Sequence, residues 1–109
     1  MKTVLLVFYV PIAHTEAVKS AIFAAGGGEI GNYQCCSWQV LGAGQFIPQA
    51  GSQPFIGQSG QIETVQEHQV QVLCPAEQIS NIVQALHQAH PYETPAYYMV
   101  DVHTTAGAG

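Results

Sequence analysis

The sequence predicts an α+β fold, a ferredoxin-like βαββαβ sandwich in which two helices cover one face of an antiparallel sheet. A continuous apolar segment at residues 3–10 indicates a buried strand, and residues 69–74 alternate with the two-residue period of a strand. Two further segments have apolar residues at helical spacing. With 109 residues, the chain is expected to form one domain at residues 1–103 and a flexible tail at 104–109.

The first half of the chain is expected to form a strand, a helix and a second strand. Pro11 ends the first strand, and Thr15 is a candidate cap for a helix that runs to about residue 25. Three glycines at residues 26–28 stop this helix, because glycine tolerates left-handed backbone. Residues 30–40 then predict the second strand.

The second half is expected to form two strands around a helix. Residues 42–60 are rich in Gly, Pro and Gln, and we expect a long loop or a hairpin excursion that packs on a neighbour. Residues 62–74 predict the third strand and residues 96–103 the fourth. Pro75 suits the first turn of the second helix, which ends before Pro91. That helix has an apolar stripe of Ile79, Ile82, Val83 and Leu86.

The chain has few charged residues, and this limits the partners that it can bind. Only 8% of the residues are charged, against about 25% in a typical domain, so we expect a homo-oligomer that buries weakly charged surface. The net charge is −5, and Lys2 and Lys19 are the only basic side chains besides histidine. This excludes a basic patch for nucleic acid and disfavours an anionic membrane. The sequence also has no segment typical of a membrane span or a signal peptide, and the expected location is the cytoplasm.

The residues with the most chemical potential lie in one short string, His90-Pro91-Tyr92-Glu93. Proline at the second position favours a turn that would bring His90 and Glu93 together. The pair could bind a divalent metal, or act as a base with its orienting acid. A third group would have to come from elsewhere. The candidates are His14, Glu67, His68 and His103. In the structural alternative, His90 caps the preceding helix, Glu93 pairs locally and the prolines shape the turn.

The other motifs give weaker evidence for a functional site. The histidine spacings and the vicinal pair Cys35-Cys36 do not fit a structural zinc site, and three cysteines suit reduced thiols better than a disulfide framework. The glycine run at residues 26–28 closes a helix and opens a strand, which is the reverse of a phosphate-binding loop.

Four strings resemble the insert domain of the NGG1-interacting-factor-three-like proteins, found in bacterial YqfO-type members. They are FYVP at 8–11, AAGGGEIGNYQC at 24–35, GAGQFIP at 42–48 and HPYETPAY at 90–97. The resemblance covers nearly the whole chain and implies a fold similar to CutA and the PII signalling proteins, which tends to form trimers. The family's dinuclear metal site belongs to a larger domain that these residues do not include, so we do not expect its metal-dependent activity here.

Two departures from the family pattern make the sheet less charged. Gln69 and Gln71 stand where family members often have an arginine and a glutamate, and Thr94 stands where they often have a second glutamate. The residues that match are His90, Tyr92 and Glu93.

The leading hypothesis is therefore a non-enzymatic, oligomeric regulatory or ligand-sensing module, a freestanding copy of the insert domain. Its ligand would lie near His90 and Glu93, in a cleft between subunits lined by Tyr33, Tyr92 or Tyr97. The ligand is not identified by the sequence, and a divalent metal ion is one candidate cofactor. Two alternatives stay open: a metal-dependent enzyme that uses His90 and Glu93, and a structural or protein-interaction unit.

Overall fold

The computed structural model describes residues 2–104, and these residues contain the predicted order of elements. Four strands and two helices follow one another as β1 (Thr3–Pro11), α1 (Thr15–Ala24), β2 (Trp38–Phe46), β3 (Glu63–Pro75), α2 (Ile79–Ala89) and β4 (Tyr97–Val102). One turn of 3₁₀ helix leads into each α-helix, at Ile12–His14 and Ala76–Gln78.

The strands form one antiparallel sheet in the order β2-β3-β1-β4, which confirms the predicted ferredoxin-like class. The central strand β1 pairs along its length with β3 and with β4; Leu6, for example, lies opposite Val72 on one side and Met99 on the other. Strand β2 lies at the edge and pairs with β3 alone among the described strands.

The core lies between the sheet and the two helices. Alternate residues of β1 and β3 face the helices, as the two-residue period predicts. The core side chains of the sheet are Val4, Leu6, Phe8, Val10, Val70, Val72 and Cys74, and those of the helices are Val18, Ile22, Ile82 and Leu86. Burial raises the pKa of the Cys74 thiol to about 11, so this cysteine behaves as an apolar core residue.

The second strand begins later than the sequence predicts. Residues 30–37 form turns with one isolated bridge between Ile30 and Tyr33, and β2 starts at Trp38. Gly31 and Cys35 both have positive φ, at 55° and 58°, and such backbone interrupts an extended strand. The prediction of a strand at residues 30–40 is therefore wrong for most of that range.

The segment at residues 42–60 is the outer part of a β2–β3 hairpin. Residues 42–46 belong to β2, and residues 47–62 connect the two strands. The amide of Gly60 donates to the carbonyl of Pro48 at 2.8 Å, which closes this connection at its base. The molecule is elongated, with principal extents of 50 × 24 × 22 Å.

The end of the chain and its helices bear on two further expectations. The predicted flexible tail falls, apart from Thr104, on residues 105–109, which lie outside the described residues. Within residues 2–104, neither helix has the length and apolar content that a bilayer crossing requires.

Candidate functional site

A pocket of about 830 Å³ lies on the face of the sheet that the helices leave uncovered, which we call the open face. Phe8 and Val70 point from their strands into the core, so their neighbours Tyr9 and Gln69, which pair across β1 and β3, point to the open face. Both neighbours line the pocket. The other walls come from the end of β2, the β2–β3 connection and the segment between α2 and β4.

Glu67 enters the pocket from β3 across the two glycines of β2. Gly42 lies opposite Glu67 in the sheet, and Gly44 is the next residue of β2 on the same face. A Cβ atom at Gly44 would collide with the Glu67 carboxylate, whereas one at Gly42 would meet no atom within 4 Å. Gly44 therefore makes the space in which the carboxylate lies.

Tyr92 links the string after α2 to this carboxylate. Its hydroxyl donates to Oε2 of Glu67 at 2.9 Å, and its ring lies 6.0 Å from that of Phe46 and 4.9 Å from that of His90. Burial, and the hydrogen bond and negative charge of Glu67, raise the pKa of the Tyr92 phenol well above its ordinary value of 10.0. Tyr92 is therefore a neutral donor at physiological pH.

His90 is buried and fixes the backbone beneath the pocket. Nε2 lies 2.7 Å from the carbonyl oxygen of Tyr9, and the backbone amide of Tyr92 donates to Nδ1 at 3.1 Å. Because a carbonyl only accepts, Nε2 carries the proton and the ring is neutral. Burial lowers the pKa of His90 below 6.5; the bond to Tyr9 opposes this shift, while the charges of His14 and His87 add to it.

Local backbone makes His90 the C-terminal cap of α2. Its extended conformation is the one expected before Pro91, and its amide donates to the carbonyl of Leu86 at 2.9 Å. In the structure, His90 therefore caps the preceding helix, as the structural alternative for the string predicts.

Glu93 holds the β2–β3 connection over the pocket. Its Oε1 accepts a hydrogen bond from the backbone amide of Gln53 at 2.8 Å. The connection has a second anchor in Phe55, whose ring meets His14 edge-on at 5.3 Å. Glu93 and Phe55 both line the pocket, so the connection forms one wall.

The predicted site residues divide into two groups. Tyr92 and Glu93 line the pocket, and His90 supports it from below through the backbone. Tyr33 is 74% exposed, and Tyr97 packs on His87, with its hydroxyl 3.2 Å from Nε2 of that ring. Neither Tyr33 nor Tyr97 lines the pocket of the single chain.

A metal role for His90 and Glu93 stays a prediction, and it would require the hydrogen bonds of His90 to change. Both nitrogens of His90 are engaged by backbone groups, so a metal would have to displace one of them. Across residues 2–104, no three His, Cys, Asp or Glu side chains are grouped as a metal site requires.

Sequence reasoning missed Phe46, which lines the pocket, and Gln53, whose amide donates to Glu93. Both lie in the segment expected to be a loop or hairpin, and nothing in their spacing connects them with Tyr92 or Glu93. Glu67 was among the candidates for a third group, but as a metal ligand and not as the partner of Tyr92.

Comparison with known protein families gives a match. The model of the CutA1 divalent ion tolerance protein family matches residues 47–108, more than half of the chain. The chain belongs to the CutA1 family. Curated relatives named GTP cyclohydrolase 1 type 2 homolog are also similar: the Mycobacterium leprae protein is 50% identical over 91 residues and the Bacillus subtilis protein 37% over 100. These matches cover 84% and 92% of the chain but only 24% and 27% of the relatives, so the chain spans about a quarter of their length.

Solved structures agree with this assignment. A Bacillus cereus protein related to NIF3 superposes with a TM-score of 0.81 at 35% identity, over 94% of this chain and 26% of that one. CutA1 from Pyrococcus horikoshii superposes with a TM-score of 0.66 at 16% identity, over 94% of this chain and 85% of that one, and shows the CutA fold for the whole unit. The expected likeness to NIF3-related proteins and to CutA is confirmed.

Proposed function

We propose that this member of the CutA1 family is a non-enzymatic, oligomeric regulatory module that binds a small molecule in the pocket beside Tyr92 and Glu93. The pocket itself carries the proposal. Its volume of about 830 Å³ lies within the range of about 300–1,000 Å³ that is usual for small-molecule sites. Its lining combines apolar and aromatic side chains with polar groups, of which Tyr92, Glu67 and Glu93 are fixed by hydrogen bonds.

The state of His90 favours binding over catalysis. A general base must have a free nitrogen within reach of the substrate proton. Both ring nitrogens of His90 are engaged by the backbone of Tyr9 and Tyr92, and the ring is almost wholly buried. This arrangement serves to fix the pocket floor, and the alternative enzyme that uses His90 and Glu93 would first have to release the ring.

Ligand binding is tested by thermal shift with a metabolite library of mixed charge. The variant Gly42→Leu is designed to fill the pocket, because Gly42 lines it and a Cβ atom there would meet no atom within 4 Å. Thr64→Leu, on the exposed part of β3 outside the pocket lining, is the matched control. We expect a compound that raises the Tm of the wild type and of Thr64→Leu but not of Gly42→Leu. If no compound raises the Tm, or if Gly42→Leu responds equally, the proposal fails.

The oligomer is proposed as a trimer in which the part of the open face outside the pocket lining packs on neighbouring copies. Trp38, Val40, Tyr98 and Val100 are large apolar residues of the open face, each 44–56% exposed in the single chain. Few charges oppose the association of such a face. The trimer is what the resemblance to CutA implies, and the cytoplasm is its proposed location.

Two neighbouring residues of β4 test this assembly. Val100, which is 47% exposed, pairs with Leu5 on the open face, while Met99, which is 45% exposed, pairs with the core residue Leu6 and faces the helix side. In light scattering coupled to size exclusion, Val100→Glu should reduce the mass towards the monomer and Met99→Glu should not. Equal masses for the two variants would argue against the open face as the interface.

A further inference from the structure

We infer that the pocket selects an organic cation, a molecule with an ammonium group on an aromatic or aliphatic body. The inference rests on the proposed function, because it assumes that the pocket holds a ligand. It adds the ligand's charge and chemical class. Three features lead to it: two carboxylates without a basic partner, aromatic rings around them, and a volume too large for a metal ion alone.

The first feature is an uncompensated negative charge. Glu67 and Glu93 line the pocket from different segments of the chain, and among the described residues no Lys, Arg or His joins them in the lining. Lys2 and Lys19 are the only basic side chains of the chain besides histidine, and the amine of Lys19 lies 3.3 Å from Glu16 and donates to Gln39 at 3.0 Å. A second copy of the chain would bring the same two lysines. A cationic ligand is therefore the natural source of compensating charge.

The hydrogen bonds at these carboxylates hold them as acceptors for a ligand. Tyr92 donates to one oxygen of Glu67, and the amide of Gln53 donates to one oxygen of Glu93. A carboxylate can accept about four hydrogen bonds, so each group keeps capacity for an ammonium donor.

The second feature is the aromatic wall. Tyr9, Phe46, Phe55 and Tyr92 come from four different segments and line the same pocket. Phe46 and Tyr92 lie 6.0 Å apart between ring centres, at an angle of 59°. The faces of such rings attract a cation and their apolar surface packs on its hydrocarbon body. Rings and carboxylates together favour an ammonium ion over a neutral molecule of the same shape.

The same features argue against two other ligand classes. A phosphorylated or carboxylated ligand would meet two carboxylates and no basic side chain in the described pocket lining. A divalent metal ion requires a compact set of ligands, and no group of three candidate side chains exists within residues 2–104. A metal ion would also fill only a small part of about 830 Å³.

The charge of the ligand is tested with three compounds that share one body: 2-phenylethylammonium, 2-phenylethanol and 3-phenylpropionate. Binding to the full chain is measured by chemical-shift perturbation at low and high salt, with magnesium and manganese chloride as separate titrations. We expect the ammonium compound to bind about tenfold more tightly than the alcohol, since an ion pair and a cation–π contact together reach that range. The anion should bind weakest, and salt should weaken only the ammonium compound.

Charge-removing variants locate the effect. Glu67→Gln and Glu93→Gln keep a hydrogen-bond acceptor for Tyr92 and for Gln53, and each should reduce the preference for the ammonium compound severalfold. Glu16→Gln, on exposed helix surface beside Lys19, is the matched control and should change nothing.

Several results would overturn the inference. They are equal binding of the three compounds, preference for the anion, no binding of the ammonium compound at millimolar concentration, and binding of the divalent ions alone. A neutral or anionic compound from the metabolite library that raises the Tm of the wild type but not of Gly42→Leu would give a different result. The proposed function would then stand, and only the inference of a cationic ligand would fail.

Discussion

The two faces of the sheet differ in what their side chains do. On the helix side, Leu6, Phe8 and Val72 are almost completely buried, and the surrounding core is made of aliphatic and aromatic groups. On the open face, the same strands present Tyr9, Gln69 and Glu67 to a pocket. Val7 is nevertheless buried on the open face, where Gln71 and Tyr98 flank it in register. Stability therefore comes mainly from one face, while the chemistry lies on the other.

So weakly charged a chain builds a polar site by placing its few polar groups together. The polar groups of the open face are not scattered, because Tyr92, Glu67 and Glu93 all meet at the end where β2 and its connection fold back. His90 joins the two faces: its ring is buried, yet it fixes the backbone of Tyr9 and Tyr92, which line the pocket.

The largest effect is expected at two neighbouring leucines of β1. Leu6 is fully buried against the helices, whereas Leu5 is half-buried on the open face. Leu6→Ala should lower the free energy of unfolding by about 2–5 kcal/mol, since it leaves a cavity in the core. Leu5→Ala should lower the free energy of unfolding clearly less. Urea unfolding followed by circular dichroism measures both values. Equal losses would mean that the open face is packed as closely as the core.

The next effect concerns His90 and pH. Because burial lowers its pKa below 6.5 in the folded chain, the unfolded chain binds this proton more readily. The stabilisation is present above pH 6.5 and is lost as the pH falls through the lower folded pKa. His90→Ala should also cost about 1–3 kcal/mol at neutral pH, because the carbonyl of Tyr9 loses its buried donor.

The measurement is the urea midpoint as a function of pH for the wild type and for His90→Gln. The variant should lose part of the acid-induced decrease between pH 6.5 and 5. His103→Gln, at an exposed residue after β4, is the control and should follow the wild type. If the urea midpoint of His90→Gln changes with pH as that of the wild type does, the acid-induced decrease comes from other groups.

The sequence predicted the helix side of the sheet well because burial there imposes a regular period. Ile82 and Leu86 of the predicted α2 stripe lie in the core and Ile79 packs against it, whereas Val83 is not part of it. The alternating residues Val70, Val72 and Cys74 are also found in the core. Strand β2 was placed too early, because it is an edge strand that carries few core residues and contains Gly42 and Gly44. Glycines in a strand normally suggest a turn, and only the structure shows that Glu67 occupies their space.

The site was predicted in part for a related reason. The turn string drew attention because histidine, tyrosine and glutamate lie within four residues. Local sequence could not show that His90 would turn inward to the backbone of Tyr9, 81 residues away. Nor could it show that Tyr92 would reach Glu67, 25 residues away, since such contacts depend on the register of β1 and β3.

A smaller effect is expected at the tyrosine hydroxyl of the pocket. Tyr92→Phe removes the donor to Glu67 and should lower the free energy of unfolding by about 0.5–1.5 kcal/mol, the usual net value of a hydrogen bond. Tyr33→Phe is the matched control, because Tyr33 is 74% exposed. Urea unfolding of both variants gives the comparison. An equal change in the two would show that the bond to Glu67 adds nothing to stability.

The smallest effect separates the two glycines of β2. Gly42→Ala has free space and should stabilise the chain by about 0.4–1 kcal/mol, because alanine restricts the unfolded state. Gly44→Ala has the same advantage but displaces the Glu67 carboxylate, so its gain should be cancelled by the lost bond to Tyr92. In the Tyr92→Phe background that bond is already gone, and the two alanine variants should then be alike in urea unfolding. A difference that persists there would mean that Gly44 is needed by the strand itself and not by the carboxylate of the pocket.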